Sequence, residues 1–311
     1  MTFELTILGS NSALPTSSRF PTAQVLRVHE RFFLIDCGEG TQLQLRKFKV
    51  KMGKINHVLI SHLHGDHLFG LFGLLSTFNL LGRKVPLTII APKGINRIID
   101  FFKADLSEEM NYEIKVVELN ERVVHDVYDD KVLRIKAFPL KHRVPTFGYL
   151  VSEKYPSRNI KKEAIKEYDL SIPEINQLKK GEDVNRESGE ILSFENLTYY
   201  PYKPRSYAYC SDTAYYEKNI SLLRNTDLIY HEATFLEKDK SMAKKTGHST
   251  AKQAAKFAKE SNAGKLLMGH YSSRYTDVEV FESEAREVFK ESYTVNDGDL
   301  FTIPLNHIKL K

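Results

Sequence analysis

The chain has 311 residues, of which 41% are hydrophobic and 27% charged, a length that suits one large domain or two small ones. This composition, with 16 glycines and 11 prolines, excludes collagen-like, disordered and disulfide-stapled proteins. The net charge of +5 permits a polyanionic partner without requiring one. The 11 histidines stand out, because His62, His64 and His67 fall so close together.

Several features bear on compartment and membrane. Cys37 and Cys210 cannot supply a disulfide framework, and the N-terminal residues alternate like a strand, with no basic stretch before them. These features predict a cytoplasmic protein. The longest uncharged apolar stretch, residues 68–82, is shorter than the roughly 20 residues that span a membrane, so no membrane segment is expected.

Apolar strands alternate with helical patterns, which predicts an α/β fold. The predicted strands lie at 3–8, 23–28, 32–36, 57–61, 87–91, 132–138, 207–210, 227–231 and 265–270, and the predicted helices at 40–48 and 68–81. Thr250 and Gln253 have the spacing of a capping box, and alanines at 251, 254, 255 and 258 predict the buried face of a helix.

Residues 152–203 have a different character. Charged residues become frequent, no strand is predicted, and two short helices are expected at 161–168 and 173–180, the second with Pro173 at its first position. We interpret this stretch as an insertion within a single domain that covers residues 1–311.

A dense set of metal-binding residue types follows the strand at 57–61, in the run Ser61-His62-Leu63-His64-Gly65-Asp66-His67. Three imidazoles and a carboxylate are nitrogen and oxygen donors suited to zinc or a similar metal, and Gly65 allows a tight backbone path. Two ions are expected, because Asp66 and His67 cannot easily reach an ion that His62 and His64 hold.

This run, together with Asp36-Cys37-Gly38-Glu39-Gly40 at the end of an earlier strand, resembles the metallo-β-lactamase superfamily. The resemblance implies a metallo-β-lactamase-type αβ/βα sandwich of two mixed β-sheets with outer helices and two metal ions at its edge. One ion would take His62, His64 and His142, and the other Asp66, His67 and His270, with Asp212 between them. Asp66 would also orient the attacking water and accept its proton, while Asp36 would anchor the metal loop by hydrogen bonds.

Further motifs narrow the resemblance. They are Gly38-Glu39-Gly40-Thr41-Gln42, His231-Glu232-Ala233-Thr234-Phe235, His248-Ser249-Thr250 and His270-Tyr271-Ser272-Ser273-Arg274-Tyr275. Over essentially the whole chain, they resemble the ribonuclease Z family. The resemblance implies a homodimeric endoribonuclease that removes the 3′ trailer from precursor tRNA, leaving a tRNA 3′-hydroxyl and a trailer 5′-phosphate. It implies two zinc ions per subunit, with manganese or iron as alternatives.

The resemblance also suggests roles for other residues. His248, oriented by Glu232, would donate a proton to the leaving ribose 3′-oxygen, with a purely structural pair as the alternative. Arg274 would contact a substrate phosphate or, alternatively, form a surface salt bridge. His231 is expected to be structural.

The insertion resembles the arm with which the family grips tRNA far from the cut. The basic residues expected to bind the substrate there are Lys154, Arg158, Lys161, Lys162, Lys179 and Lys180. Residues 152–190 nevertheless contain eight basic and nine acidic residues, so a solvated insertion without an RNA role stays open.

One loop departs from the family pattern. Family members usually carry Pro-x-Lys-x-Arg-Asn after the first strand, where this chain has Pro15-Thr16-Ser17-Ser18-Arg19-Phe20, which leaves discrimination against CCA-ended tRNA open. The alternative functions are a general phosphodiesterase or exoribonuclease of the same superfamily, a catalytically silent RNA-binding protein, and a glyoxalase-like thioester hydrolase.

Overall fold

Two seven-stranded β-sheets face each other in the computed structural model, which describes residues 1–106, 109–119 and 123–308. In chain order the strands are β1 (Phe3–Gly9), β2 (Ala23–Val28), β3 (Arg31–Ile35), β4 (Ile55–Leu59), β5 (Leu87–Pro92), β6 (Ile114–Leu119), β7 (His125–Asp129), β8 (Leu133–Pro139), β9 (Phe147–Glu153), β10 (Asn159–Ile160), β11 (Val184–Asn185), β12 (Ile191–Leu192), β13 (Thr198–Tyr199), β14 (Ser206–Cys210), β15 (Leu228–Glu232), β16 (Lys265–Gly269), β17 (Ser292–Thr294) and β18 (Leu300–Thr302).

Some helices pack on the outer faces of the sheets, and others lie in the insertion. They are α1 (Thr41–Lys47), α2 (Gly65–Leu68), α3 (Gly70–Leu80), α4 (Ile95–Phe101), α5 (Lys162–Glu167), α6 (Ile172–Lys179), α7 (Phe194–Leu197), α8 (Lys240–Thr246), α9 (Ala251–Glu260) and α10 (Glu279–Arg286). Short 3-10 turns lie at Met52–Lys54, Glu217–Asn219 and Glu237–Asp239, and a π-helical turn at Phe102–Leu106 extends α4. No helix within the described ranges is both long and apolar enough to cross a membrane.

Both sheets mix parallel and antiparallel strands. The first has the order β18-β1-β2-β3-β4-β5-β6 and the second β17-β16-β15-β14-β9-β8-β7. In the first sheet β3 to β6 run parallel, and in the second β14 to β17 do. The predicted sandwich of two mixed sheets with outer helices is confirmed.

Three apolar layers hold this sandwich together. Side chains such as Phe3 and Ile35 from the first sheet meet Tyr149 and Tyr207 from the second in a fully buried central layer. Apolar residues of α1, α3 and α4 pack on the outside of the first sheet, and those of α9 and α10 on the outside of the second. Burial of this apolar surface is the main driving force for the fold.

The helix at α9 confirms its sequence signals. The Thr250 side chain accepts from the Gln253 backbone N–H and the Gln253 side chain accepts from that of Thr250, which completes the capping box. The alanines at 251, 254, 255 and 258 are buried. The predicted helix at 68–81 is instead two helices, because α3 begins at Gly70, directly after α2 and Phe69.

The insertion corrects two predictions. The expectation of no strand is wrong, since β10 pairs with β13 and β11 with β12. The helix expected at 173–180 begins at Ile172, because Ser171 caps it in a capping box with Glu174 and leaves Pro173 in the first turn. Apolar side chains of α5, α6 and the short strands, among them Leu178 and Leu192, form a small core of their own.

Candidate metal centre

Seven polar side chains converge at one edge of the sandwich. Four of them belong to the run that follows β4, and the other three follow β8, β14 and β16. The seven residues are His62, His64, Asp66, His67, His142, Asp212 and His270. Strand ends that meet at one sheet edge thus bring together residues that lie far apart in the sequence.

The first group contains His62, His64, His142 and Asp212, which each offer one potential ligand atom within 4.8 Å of the others. His62 Nε2 lies 2.9 Å from His64 Nδ1 and 3.8 Å from Asp212 Oδ2. The ligand atoms therefore surround a space of the size of one ion.

The second group contains Asp66, His67 and His270. His67 Nε2 lies 3.3 Å from Asp66 Oδ2 and 3.4 Å from His270 Nε2. Asp212 Oδ1 lies 3.0 Å from His270 Nε2, whereas Asp212 Oδ2 faces the first group. The two oxygens of Asp212 thus face one group each.

The residues present fit a pair of metal ions. His142 donates through Nδ1 to the Gly247 carbonyl at 2.9 Å, and its buried Nε2 has no hydrogen-bond partner among the described residues. A buried, unpartnered ring nitrogen is unusual, and here it is turned toward other nitrogen and oxygen donors. Imidazole and carboxylate groups are the donor types that zinc and related metals take.

Asp36 anchors the run after β4 by hydrogen bonds. Its Oδ1 accepts from the Ser61 backbone N–H at 2.7 Å, and its Oδ2 accepts from Ser61 Oγ at 2.8 Å and from His67 Nδ1 at 2.7 Å. Tyr209, on the facing sheet, donates to the same Oδ2 at 2.5 Å. The buried carboxylate therefore fixes the orientation of the His67 ring.

The backbone is left-handed at two positions of this site, Asp36 with φ 56° and His270 with φ 61°. Such a conformation costs a non-glycine residue about 1 kcal/mol or more and concentrates at functional sites. The surrounding hydrogen bonds offset it, since the Asp36 N–H donates to Leu59 and that of His270 to Ser10.

Glu232 and His248 form a pair beside the metal cluster. His248 Nδ1 lies 2.7 Å from Glu232 Oε1 and 3.9 Å from Asp212 Oδ2. Glu232 is fully buried and also accepts from the backbone N–H groups of Thr213, Thr234 and Ser249. Asp212, His248 and His270 make up a third group with convergent ligand atoms, so His248 is within reach of the metal cluster.

The electrostatics of the site separate a protonated group from an ionised one. Burial acts to lower the pKa of His248, but the Glu232 and Asp212 carboxylates outweigh it and raise the pKa to about 9. Burial acts to raise the pKa of Asp66, but the positive charge of His67 beside it holds that pKa well below its ordinary value. At neutral pH His248 is therefore protonated and Asp66 is ionised.

Two arginines lie near this edge. The Arg274 guanidinium lies 5.0 Å from the centre of the Phe235 ring, and its Nε donates to Ser272 Oγ at 3.1 Å. The Arg19 guanidinium lies 5.7 Å from the centre of the Tyr271 ring, next to His270. Both cations stack on aromatic rings beside the cluster.

The basic residues of the insertion have different environments. Lys154 pairs with Asp129, and the Arg158 guanidinium lies between the rings of Phe194 and Tyr200, at 4.8 and 4.2 Å. These two side chains are engaged within the protein. Lys161 is half-buried, whereas Lys162, Lys179 and Lys180 are exposed.

Sequence reasoning assigned no role to Thr234 or Tyr209. Thr234 Oγ1 contacts Glu232, His248 and His270, and its position within the run His231-Glu232-Ala233-Thr234 was the only signal. Tyr209 reaches Asp36 from a residue 173 positions away in the chain, a contact that no local pattern reveals. The buried ring of His231 packs against Phe257, and His231 belongs to none of the three groups of convergent ligand atoms found among the described residues.

Two family models match parts of the chain. The model described as anti-Pycsar protein Apyc1 matches residues 3–142, and the one described as beta-lactamase superfamily domain matches residues 177–271. The two matched stretches contain all seven clustered side chains.

Relatives match over nearly the whole length. A ribonuclease Z of Bacteroides fragilis is 42% identical over 296 residues, which cover 95% of this chain and 97% of the relative. A ribonuclease Z of Cytophaga hutchinsonii is 44% identical over 304 residues, covering 97% of each. The crystal structure of human tRNase Z, short form, matches with a TM-score of 0.71 at 29% identity, covering 97% of this chain and 99% of that one.

Proposed function

Since the chain belongs to the ribonuclease Z family, we propose that it is a metal-dependent endoribonuclease that removes the 3′ trailer from precursor tRNA. Hydrolysis of one phosphodiester would leave a 3′-hydroxyl on the tRNA and a 5′-phosphate on the trailer. The observation that carries the proposal is the position of the Glu232–His248 pair beside seven convergent metal-ligand side chains.

The proposal includes two zinc ions per subunit. One would be held by His62, His64 and His142 and the other by Asp66, His67 and His270, with one oxygen of Asp212 facing each. When bound, such ions polarise the phosphate and lower the pKa of water. Manganese or iron would suit the same nitrogen and oxygen donors.

The proposed proton donor is His248. The leaving ribose 3′-oxygen is a poor leaving group unless it receives a proton, and a positioned acid contributes about 10²–10⁴-fold to such a step. Because Glu232 occupies Nδ1 of His248, Nε2 is the ring atom left to face the substrate. Glu232 thus both orients the ring and keeps it protonated.

Two aspartates would assist the attack of water on the phosphate. Asp66 would orient water and accept a proton from it. Asp36 would act through His67, whose Nδ1 it holds at 2.7 Å. Arg274, at the same edge, would contact a phosphate of the RNA.

The proposal further assigns the insertion, residues 152–203 of a single domain, to tRNA binding. Exposed Lys162, Lys179 and Lys180 would contact phosphates, whereas the ring contacts of Arg158 suit it to holding the arm together. The enzyme would work as a cytoplasmic homodimer in which the arm of one subunit grips tRNA for the other.

The test is incubation of the purified, zinc-loaded protein with a 3′-extended tRNA, followed by mapping of both new ends. Substrates with and without an encoded CCA would be compared, because the loop around Arg19 departs from the family pattern. Cleavage after the tRNA body, abolished by a chelator, is the expected result. Hydrolysis of a chromogenic phosphodiester without cleavage of precursor tRNA would overturn the proposal in favour of a general phosphodiesterase.

A further inference from the structure

The hydroxyl of Thr234 lies between the metal cluster and the Glu232–His248 pair. Thr234 Oγ1 is 2.6 Å from Glu232 Oε2, 2.9 Å from His270 Nδ1 and 3.3 Å from His248 Nδ1. Thr234 is 4% exposed, so water does not easily replace these contacts.

The directions of these hydrogen bonds follow from the chemistry of the groups. An ionised carboxylate only accepts, so the single hydroxyl proton of Thr234 is donated to Glu232. The lone pairs of Oγ1 then face the two rings, and His270 must donate from Nδ1. A neutral imidazole that donates from one nitrogen has a lone pair on the other, so His270 Nε2 is the acceptor.

The Nε2 atom of His270 faces the second group of ligand atoms. It lies 3.0 Å from Asp212 Oδ1 and 3.6 Å from Asp66 Oδ2. Other rings of the cluster are fixed in the same manner by different acceptors. His67 Nδ1 is held by the Asp36 carboxylate, and His142 Nδ1 by the carbonyl of Gly247, the residue before His248.

We propose that Thr234 is a positioning residue whose hydroxyl sets the tautomer and orientation of His270 and ties this metal ligand to Glu232. The inference rests on the proposed function, because it concerns the same metal centre. Hydrogen-bond partners of a ligand histidine typically contribute about 10–100-fold to metal affinity. Thr234→Val keeps the shape of the side chain and removes the hydroxyl, whereas Thr234→Ser keeps the hydroxyl.

The experiment measures zinc retention. Zinc-loaded protein is equilibrated with graded chelator, and the zinc that remains bound is counted by elemental analysis. In Thr234→Val, the affinity for one of the two zinc ions is expected to fall about 10–100-fold. Thr234→Ser is expected to restore zinc retention. Thr226→Val is the matched control, since Thr226 is buried and its hydroxyl donates only to the Leu223 carbonyl.

The outcomes separate the inference from the proposed function. Wild-type zinc affinity in Thr234→Val overturns the inference, and so does failure of Thr234→Ser to restore retention. A wild-type protein that keeps two zinc ions but leaves precursor tRNA uncut overturns the proposed function alone. If Thr234→Val does not fold, nitrogen NMR of ¹⁵N-histidine in the zinc-loaded wild type decides: hydrogen on Nδ1 of His270 supports the inference, and metal on Nδ1 overturns it.

Discussion

The backbone N–H of Glu153 donates to the carbonyl of Arg205 at 2.9 Å, so the chain leaves β9 and returns to β14 at almost the same place. These strands pair antiparallel, with Ser152 opposite Ser206. Just outside this pair, the rings of Tyr155 and Tyr200 contact each other with their centres 4.5 Å apart and their planes tilted by 38°. The insertion is therefore a long connection between the adjacent antiparallel strands β9 and β14.

Deletion of residues 157–199, with a short glycine-containing turn in their place, should leave the sandwich folded. The two ends already lie side by side, and the deleted stretch has its own small core. We expect unchanged hydrolysis of a chromogenic phosphodiester and strongly reduced cleavage of precursor tRNA, measured as kcat/KM for both substrates. The reverse pattern, with precursor cleavage retained, would contradict the role of the insertion in tRNA binding.

The exposed lysines at the end of α6 should contribute to the salt dependence of RNA binding. Each lost phosphate contact lowers the slope of log affinity against log salt by roughly 0.7–0.9. The Lys179→Ala/Lys180→Ala double variant is thus expected to bind tRNA more weakly at low salt and with a flatter slope. Lys51→Ala/Lys290→Ala, a pair of exposed lysines outside the arm, serves as control, and equal slopes in both variants would argue against specific contacts.

His248→Ala should reduce kcat by about 10²–10⁴-fold, because the leaving oxygen loses its proton donor. The matched control is His231→Asn, since His231 is buried nearby but donates only to the carbonyl of Glu232. Its substitution is expected to lower stability more than turnover. Elemental analysis must show that both variants hold two zinc ions, and near-full turnover of zinc-loaded His248→Ala would remove His248 from the mechanism.

Gly70 lies where the metal-binding run docks on the turn after β3. A Cβ at this position would lie 2.0 Å from the Gly38 carbonyl oxygen and 2.9 Å from that of Cys37, both of them backbone atoms. Gly70→Ala should therefore lower the free energy of unfolding by about 1–3 kcal/mol or more. It should also weaken zinc binding. A Cβ at Gly53 would meet nothing within 4 Å, so equal urea midpoints for Gly70→Ala and Gly53→Ala would contradict this account.

Nine strands of the sandwich could be predicted, because each is an apolar run bounded by turns, and α9 could be predicted because its cap and its alanines agree. The prediction did not include β6, β7, β9, β17 and β18. The strands of the insertion could not be predicted, since β10 and β13 have two residues each, too few for alternation to be visible. Their pairing depends on the small core around Leu178. The break between α2 and α3 could not be predicted either, because the apolar pattern continues through Phe69. The break lies where Gly70 approaches the backbone of Gly38 closely.

Some residues of the candidate site could likewise be identified from local sequence, and others could not. The four donors between His62 and His67 could be identified from their local spacing, whereas His142, Asp212 and His270 needed the family resemblance. Thr234 and Tyr209 act through hydrogen bonds made only once distant strands have packed. The local sequence thus shows which ligand types are present, whereas the hydrogen-bond partners that orient them are seen only in the tertiary fold.

Glu153 and Arg205 also form a buried ion pair, with each side chain 2% exposed. Arg205 donates to both carboxylate oxygens, from Nε at 3.0 Å and from Nη2 at 2.7 Å. Burial acts to raise the pKa of Glu153, but the hydrogen bonds and charge of Arg205 hold it below its ordinary value. Glu153→Gln leaves a buried guanidinium without its counter-charge, which should cost about 3–5 kcal/mol at neutral pH.

The sign of the pH dependence follows from the lowered pKa. The folded state takes up a proton on Glu153 less readily than the unfolded state, so the stabilisation is complete above the ordinary pKa of 4.5 and is lost as the pH falls through the folded value. Urea denaturation should therefore show a large difference between wild type and Glu153→Gln at pH 7 that shrinks in acid. Glu163→Gln, at an exposed position of α5, should match wild type at both pH values, and a wild-type to Glu153→Gln difference that does not change with pH would contradict the assignment to this pair.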